Sequence, residues 1–140
     1  MAFDSTEGAG FLAEFVTEPY PRILMQAGLG DATVPMGAAE ALARGFGAKI
    51  LPHHPREIYG LSENVPVKAN LGGEVVFTEF LFQQEYDLLP KKYVVGTDTL
   101  VHNCLRKDKE ALRQVKAFVS TGKVIDVCEK DNCVRDSISC

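Results

Sequence analysis

The chain has 140 residues, of which 46% are hydrophobic and 24% charged, and its formal net charge is -4. This length is enough for one domain with a modest core, and the composition is that of an ordinary globular protein. Acidic and basic residues are well mixed, which argues against nucleic acid or an anionic membrane as the main partner. No apolar run is long enough for a transmembrane segment. The opening residues lack the basic and apolar regions of a signal peptide.

The first third of the chain predicts a helix and then a buried strand. Residues 1–10 are small and polar, which indicates a linker or a truncated start. Residues 10–17 carry apolar side chains at helical spacing and are followed by two prolines, so we expect a short helix there. The stretch 22–35, RILMQAGLGDATVP, predicts a buried strand that begins at its apolar residues and ends in a glycine-containing loop.

The next elements alternate between helix and strand. Residues 36–46 place apolar side chains on one stripe, with Pro35 at the start and Gly47 at the end, which predicts a helix. Residues 48–51 are expected to be extended, and residues 57–61 to form a further strand. The run 74–82, EVVFTEFLF, predicts a strand covered on both faces.

The last third predicts one more helix and a polar tail. Residues 83–101 form a long polar connection, and residues 107–121 have an apolar side typical of a helix. Residues 124–127 are expected to be a short strand, and residues 128–140 are polar. Strand, helix and strand at this spacing predict parallel strands joined by a right-handed crossover.

Two residues carry the most chemical interest. Asp31 lies just after the first buried strand, where open α/β sheets place their ligands and catalytic groups. His102 lies before the last helix. An aspartate that accepts a hydrogen bond from a histidine can fix the ring's tautomer, so that the other nitrogen acts as a base. Two other interpretations remain open: Asp31 could bind loop N–H groups or cap the next helix, and His102 could be an ordinary loop histidine. Asp98 is a rival carboxylate for His102.

The cysteines allow three interpretations. Cys128 and Cys133 bound a short loop that a disulfide could close. The alternatives are free thiols or a zinc site, although the spacing is not that of common zinc motifs. We favour a Cys128–Cys133 disulfide, with Cys104 partly buried and free. Adjacent His53 and His54 would point in opposite directions, which disfavours a metal pair, and we predict no metal or cofactor.

The order of strand, Gly28-x-x-Asp31-x-x-Val34-Pro35, helix, strand, His102 and helix resembles the C-terminal part of an α/β-hydrolase, with nearly the whole chain covered. Chain order in that family is nucleophile, acid, histidine. The resemblance implies that residues 11–127 are the C-terminal portion of a three-layer α/β sheet in an incomplete domain, with Asp31 as the acid and His102 as the histidine. The tract ends in a cysteine-containing tail, residues 128–140.

The chain departs from that family because it has no Gly-x-Ser-x-Gly motif. Ser62, in GLSEN, comes nearest to it, but it follows Asp31 and lacks the second glycine. We therefore expect the Asp-His part of a Ser-His-Asp triad, inactive alone, whose parent hydrolyses a small-molecule or lipid ester. If the disulfide forms, that parent is secreted or periplasmic. The alternative is a non-catalytic remnant or interaction module of the same fold.

Overall fold

The computed structural model describes residues 22–63, 75–82 and 100–135. The predicted helix at 10–17 and nearly all of the predicted connection at 83–101 lie outside these ranges. The elements within the described ranges are β1 (Ile23–Leu29), α1 (Met36–Gly45), β2 (Lys49–Ile50), β3 (Ser62–Glu63), β4 (Val75–Phe82), α2 (Leu100–Leu105), α3 (Lys109–Thr121) and β5 (Val134–Arg135).

The strands form one parallel sheet in the order β1-β4-β2-β3, and β5 pairs with the far end of β4. The β1–β4 pair is in register from Ile23 opposite Val75 to Leu29 opposite Leu81. The predicted parallel pairing of these two strands is therefore confirmed. Since both strands point the same way, their carboxyl ends reach the same edge of the sheet.

Alternate residues of β4 face opposite layers of helices. Val75 and Phe77 pack in one cluster with Ala43 of α1. Phe80 and Phe82 pack in another cluster with residues of α2 and α3. Because side chains alternate along a strand, α1 lies on one face of the sheet, and α2 and α3 lie on the other. The protein is thus a small α/β structure with helices on both faces of a parallel sheet.

The longer elements were predicted close to their observed bounds. Strands β1 and β4 and helix α1 begin and end within one or two residues of the predicted positions. Helix α3 begins at Lys109 because Asp108 caps it: the Asp108 carboxylate accepts the Ala111 N–H at 2.8 Å. The Arg135 guanidinium also donates to Asp108 at 2.7 Å. These hydrogen bonds outweigh the opposing effect of burial and lower the pKa of Asp108.

Two short predicted strands were wrong. Residues 57–61 form a turn, in which the Leu61 N–H donates to the Ile58 carbonyl and Gly60 has a φ of +77°. Strand β3 follows this turn at Ser62–Glu63. Residues 124–127 do not pair as a strand, and β5 lies further on, inside the predicted tail. Two-residue strands are too short to show an alternating pattern.

The C-terminal tail up to Arg135 packs on the core. The predicted Cys128–Cys133 disulfide is present, and both cysteines are fully buried beside Phe80 and Phe82. The prediction that Cys104 is free was wrong, because it is disulfide-bonded and almost completely buried. Its partner lies outside the described residues, since Cys128 and Cys133 are bonded to each other. The cysteines of the described ranges therefore serve as covalent cross-links.

One edge of the sheet and one side of α3 have no covering element among the described residues. Among the described residues, strand β1 lies at the edge of the sheet and pairs only with β4. The predicted apolar side of α3 is divided: Ala111 is buried, but Leu112, Val115 and Val119 are 51%, 37% and 78% exposed. A strand edge that stays unpaired beside apolar surface favours association with other chains.

An ion cluster around the buried Glu79 carboxylate links β4 to α1. Both carboxylate oxygens of Glu79, a fully buried side chain, accept hydrogen bonds from Arg56 at 3.0 Å. Arg56 also contacts Glu40 of α1, which in turn contacts Arg44. Burial raises the pKa of Glu79, although Arg56 partly opposes this shift. Through Arg56, the cluster holds the loop after β2 against the face of β4.

None of the helices in the described ranges is both long and apolar enough to cross a bilayer.

Candidate active site

The turn after β1 sets the position of Asp31. Gly30 has a φ of +81°, a conformation that glycine adopts without the steric penalty of a side chain. The Asp31 N–H donates to the Gly28 carbonyl at 3.3 Å and closes the turn. The carboxylate is thereby held at the carboxyl end of β1, as the sequence predicted.

The two carboxylate oxygens of Asp31 have separate partners. Oδ1 accepts the backbone N–H groups of Thr33 and Val34 at 2.7 and 3.0 Å. Oδ2 accepts a hydrogen bond from Nδ1 of His102 at 2.9 Å. The predicted contact between Asp31 and His102 is therefore confirmed. The alternative in which Asp31 binds loop N–H groups also holds, because one oxygen serves each role. Asp31 does not cap α1, whose first turn has no side-chain cap.

His102 lies within α2 and not in a loop before a helix, which corrects the prediction. A close contact between α2 and β1 sets its position: a Cβ added to Gly28 would lie 2.7 Å from Cγ1 of Val101. Real Cβ atoms essentially never approach so closely. Glycine at position 28 thus allows α2 to approach β1 near enough for His102 to contact Asp31.

The environments of the two side chains differ. The Asp31 side chain is 4% exposed, and that of His102 is 30% exposed. The second ring nitrogen of His102, Nε2, has no hydrogen-bond partner among the described residues. A buried carboxylate that accepts from Nδ1–H leaves a lone pair on Nε2, which can take a proton. The arrangement can therefore act as a general base.

Asp31 and His102 line a cavity of about 430 Å³. This volume falls in the range of small-ligand sites. Its walls include apolar side chains of three helices and of the β1 loop, together with Gln26 and Arg106. Gln26 is already engaged, because its amide donates to the Ala111 carbonyl and to Gln114. The apolar lining residues include Val34, Ala39, Leu105, Leu112 and Val115.

No serine, threonine or cysteine belongs to the described lining of this cavity. The hydroxyl of Ser120 donates to the Lys116 carbonyl in α3. Ser62 lies in β3, and Ser5, Ser137, Ser139 and the rival carboxylate Asp98 lie outside the described residues. A nucleophile for His102 is therefore not found in the part of the chain described.

A second aspartate–histidine pair was missed from the sequence. Nδ1 of His53 donates to Oδ2 of Asp126 at 2.8 Å, and Oδ1 of Asp126 accepts the Cys128 N–H. This geometry closely matches that of Asp31 and His102, but neither member lines the cavity. Asp126 lay in a predicted strand, and its position two residues before Cys128 does not indicate a partner 73 residues away.

The two adjacent histidines have separate partners. Nδ1 of His54 contacts the Leu51 carbonyl at 2.8 Å, whereas His53 contacts Asp126. In the described ranges, no group of three or more His, Cys, Asp or Glu side chains is arranged to hold a metal ion.

Comparison of the chain with protein-family models, with curated proteins and with solved structures found no match.

Proposed function

We propose that this chain supplies the acid and the base of a Ser-His-Asp triad in an α/β-hydrolase-type enzyme that acts on ester or other acyl substrates. The observation that carries the proposal is the 2.9 Å hydrogen bond from His102 to Asp31 at the wall of a cavity. Of the two aspartate–histidine pairs described, this is the one that faces a space where a substrate could bind.

The proposed chemistry has two half-reactions, and in each of them His102 takes up one proton and gives it back. Nε2 takes the proton of a serine hydroxyl as its oxygen attacks the acyl carbon and forms a tetrahedral intermediate. The imidazolium gives the proton to the leaving alcohol as the bond between that alcohol and the acyl carbon breaks, which leaves an acyl-enzyme. Water then attacks the acyl carbon while His102 takes its proton, and the imidazolium returns a proton to the serine oxygen as the acid leaves. Asp31 holds the ring in the required tautomer and stabilises the imidazolium through Oδ2.

The order of elements supports the family assignment and the finer fold. Asp31 follows β1, α1 lies between β1 and β4, and His102 follows β4 along the chain. That is the order of acid and histidine in α/β-hydrolases. We propose that the sheet is the C-terminal portion of a three-layer hydrolase sheet. The edge of β1 that has no partner among the described residues is where further strands would continue.

Two further parts of the proposal concern substrate and compartment. The mostly apolar cavity suits a small-molecule or lipid ester. Buried disulfides are typical of proteins that fold in oxidising compartments, which favours an exported or periplasmic parent.

A non-catalytic remnant or interaction module is the second candidate. The observation that favours it is the absence of a hydroxyl or thiol nucleophile from the described lining of the cavity. In that case, Asp31 would serve mainly to organise its own loop through Oδ1.

The first experiment is an assay with a p-nitrophenyl ester on the purified chain. We expect no turnover above buffer, because the described lining of the cavity holds no serine, threonine or cysteine that could act as the nucleophile. Turnover that disappears in a His102→Ala variant would show that the chain contains a nucleophile after all.

The second experiment asks whether His102 activates a serine in the native protein. Material recovered from its source through a tag on this chain is treated with a fluorophosphonate, which labels activated serines. His102→Ala should abolish the labelling, and His53→Ala, in the matched second pair, should not. Labelling that survives His102→Ala, or no labelling in any sample, would favour the non-catalytic candidate.

A further inference from the structure

Arg106 differs from the other arginines of the chain. Its guanidinium has no hydrogen-bond or ion-pair partner among the described residues. Every other arginine side chain donates to a carbonyl or a carboxylate: Arg22 to Gly122, Arg44 to Tyr59, Arg56 to Glu79, Arg113 to Glu110 and Arg135 to Asp108. Arg106 is thus the arginine for which the described fold provides no acceptor.

The position of Arg106 relates it directly to the base. Its backbone N–H donates to the His102 carbonyl at 3.4 Å, which continues the helical pattern of α2 by one residue. Side chains four residues apart on a helix lie on the same side. Consistent with this, His102 and Arg106 both line the 430 Å³ cavity. The guanidinium is therefore placed by the same short helix that places the base.

We infer that Arg106 binds an anionic group of the ligand, so that the cavity takes amphiphilic molecules with an apolar chain and a carboxylate or phosphate. A guanidinium forms two parallel hydrogen bonds with either oxyanion. Arg106 is itself exposed, and most of the other lining residues are apolar. An amphiphilic ligand therefore places its apolar chain against those walls and its anionic group at the arginine. The lining includes Asp31, but its carboxylate oxygens already accept hydrogen bonds from His102 and from two backbone N–H groups.

This inference rests on the proposed function where it names a substrate: acyl esters that also carry an acidic group. The binding itself needs no nucleophile. Because Arg106 and the cavity walls belong to this chain, binding is measurable on the chain as it exists.

The test is a titration of the ¹⁵N-labelled chain with octanoate, octyl phosphate and the neutral octanamide, followed by NMR. We expect at least one of the two anions to bind about tenfold more tightly than octanamide, in line with a hydrogen bond between charged groups. The Arg106 and His102 signals should shift. Arg106→Gln should remove this preference, and Arg113→Gln should keep it, because Arg113 is an arginine outside the cavity lining.

Equal affinity for octanamide and both anions would overturn the inference, as would an anion preference that survives Arg106→Gln. If both anions bind more tightly than octanamide, the site recognises an oxyanion in general. If only one does, the site also discriminates by the size of the headgroup. If the native protein shows no fluorophosphonate labelling that depends on His102, the proposed function is rejected. That result leaves this titration unaffected, so the two failures can be told apart.

Discussion

Asp31 and His102 are 71 residues apart in the chain, and their side chains are joined by a 2.9 Å hydrogen bond. Two local features make the contact possible. The left-handed turn at Gly30 holds Asp31 at the end of β1, and the missing side chain of Gly28 lets α2 approach. The contact therefore depends on two glycines that contribute no side chain to it.

Gly28→Ala should weaken the contact between Asp31 and His102. The new methyl would lie 2.7 Å from Val101, so α2 must move away from β1. We expect a loss of about 1–3 kcal/mol in the free energy of unfolding, typical of an overpacked core. Urea unfolding measures this loss, and the His102 imidazole NMR signals report the displaced ring. An unchanged His102 spectrum in a folded variant would show that the contact between Gly28 and Val101 does not position the histidine.

Asp31→Asn should invert the tautomer of His102 with little change in stability. The amide oxygen of asparagine can still accept from Thr33 and Val34, but its NH₂ group would face Nδ1 and favour a proton on Nε2. Imidazole ¹⁵N shifts distinguish the two tautomers. Asp31→Ala should cost about 1–3 kcal/mol more, because it leaves loop N–H groups without an acceptor. Asp126→Asn is the matched control and should alter only the signals of His53.

Arg56→Met should destabilise the protein by an amount that depends on pH. The pKa of Glu79 is raised by burial, so the folded state binds its proton more tightly than the unfolded state. Stability from this protonation is present at acid pH and is lost as the pH rises through the folded pKa. Without Arg56, the unpaired carboxylate should cost about 3–5 kcal/mol at pH 7.

The cost of Arg56→Met should be smaller at pH 4, where Glu79 takes up a proton. Urea unfolding at several pH values tests this difference. Arg44→Met is the control: Arg44 is a more exposed arginine of the same cluster, and its loss should cost less than about 1 kcal/mol at either pH. A cost for Arg56→Met that is independent of pH would mean that the charge of Glu79 is not what Arg56 compensates.

The cysteines of the described ranges should resist alkylation without reductant. We expect peptide mapping to recover Cys128 joined to Cys133. It should also find Cys104 joined to Cys140, the one cysteine that remains in the sequence. Replacing both Cys128 and Cys133 by alanine should cost about 2 kcal/mol from the lost loop constraint alone. Ready alkylation of Cys104 in the folded, unreduced chain would contradict the cross-link.

The sequence predicted the elements that bury long apolar faces. Strands β1 and β4 and helices α1 and α3 each carry enough residues for a period to show, and prolines or glycines mark several of their ends. Asp31 and His102 were found because a family order supplied their relation. The covalent link at Cys104 was missed because nothing near it in the sequence indicates a partner. The strands β3 and β5 were missed because two residues are too few to show an alternating pattern.

The ion cluster could have been anticipated. Glu79 stands in a run that was predicted to be covered on both faces, and a buried carboxylate requires a partner. That argument predicts the existence of a cation but not its identity. Arg56 lies 23 residues earlier, in a loop without regular structure, and only the tertiary fold brings it to β4. The His53–Asp126 pair was hidden for the same reason.

The Glu79–Arg56 pair also bears on how the chain selects one pairing of its strands. Side chains alternate along β4, so a one-residue slip against β1 would move Glu79 to the opposite face of the sheet, away from Arg56. Most of the other β4 residues are apolar and would tolerate such a slip. A buried carboxylate without its partner would not, because it costs several kcal/mol. One charge in an apolar strand thereby disfavours the misregistered sheet.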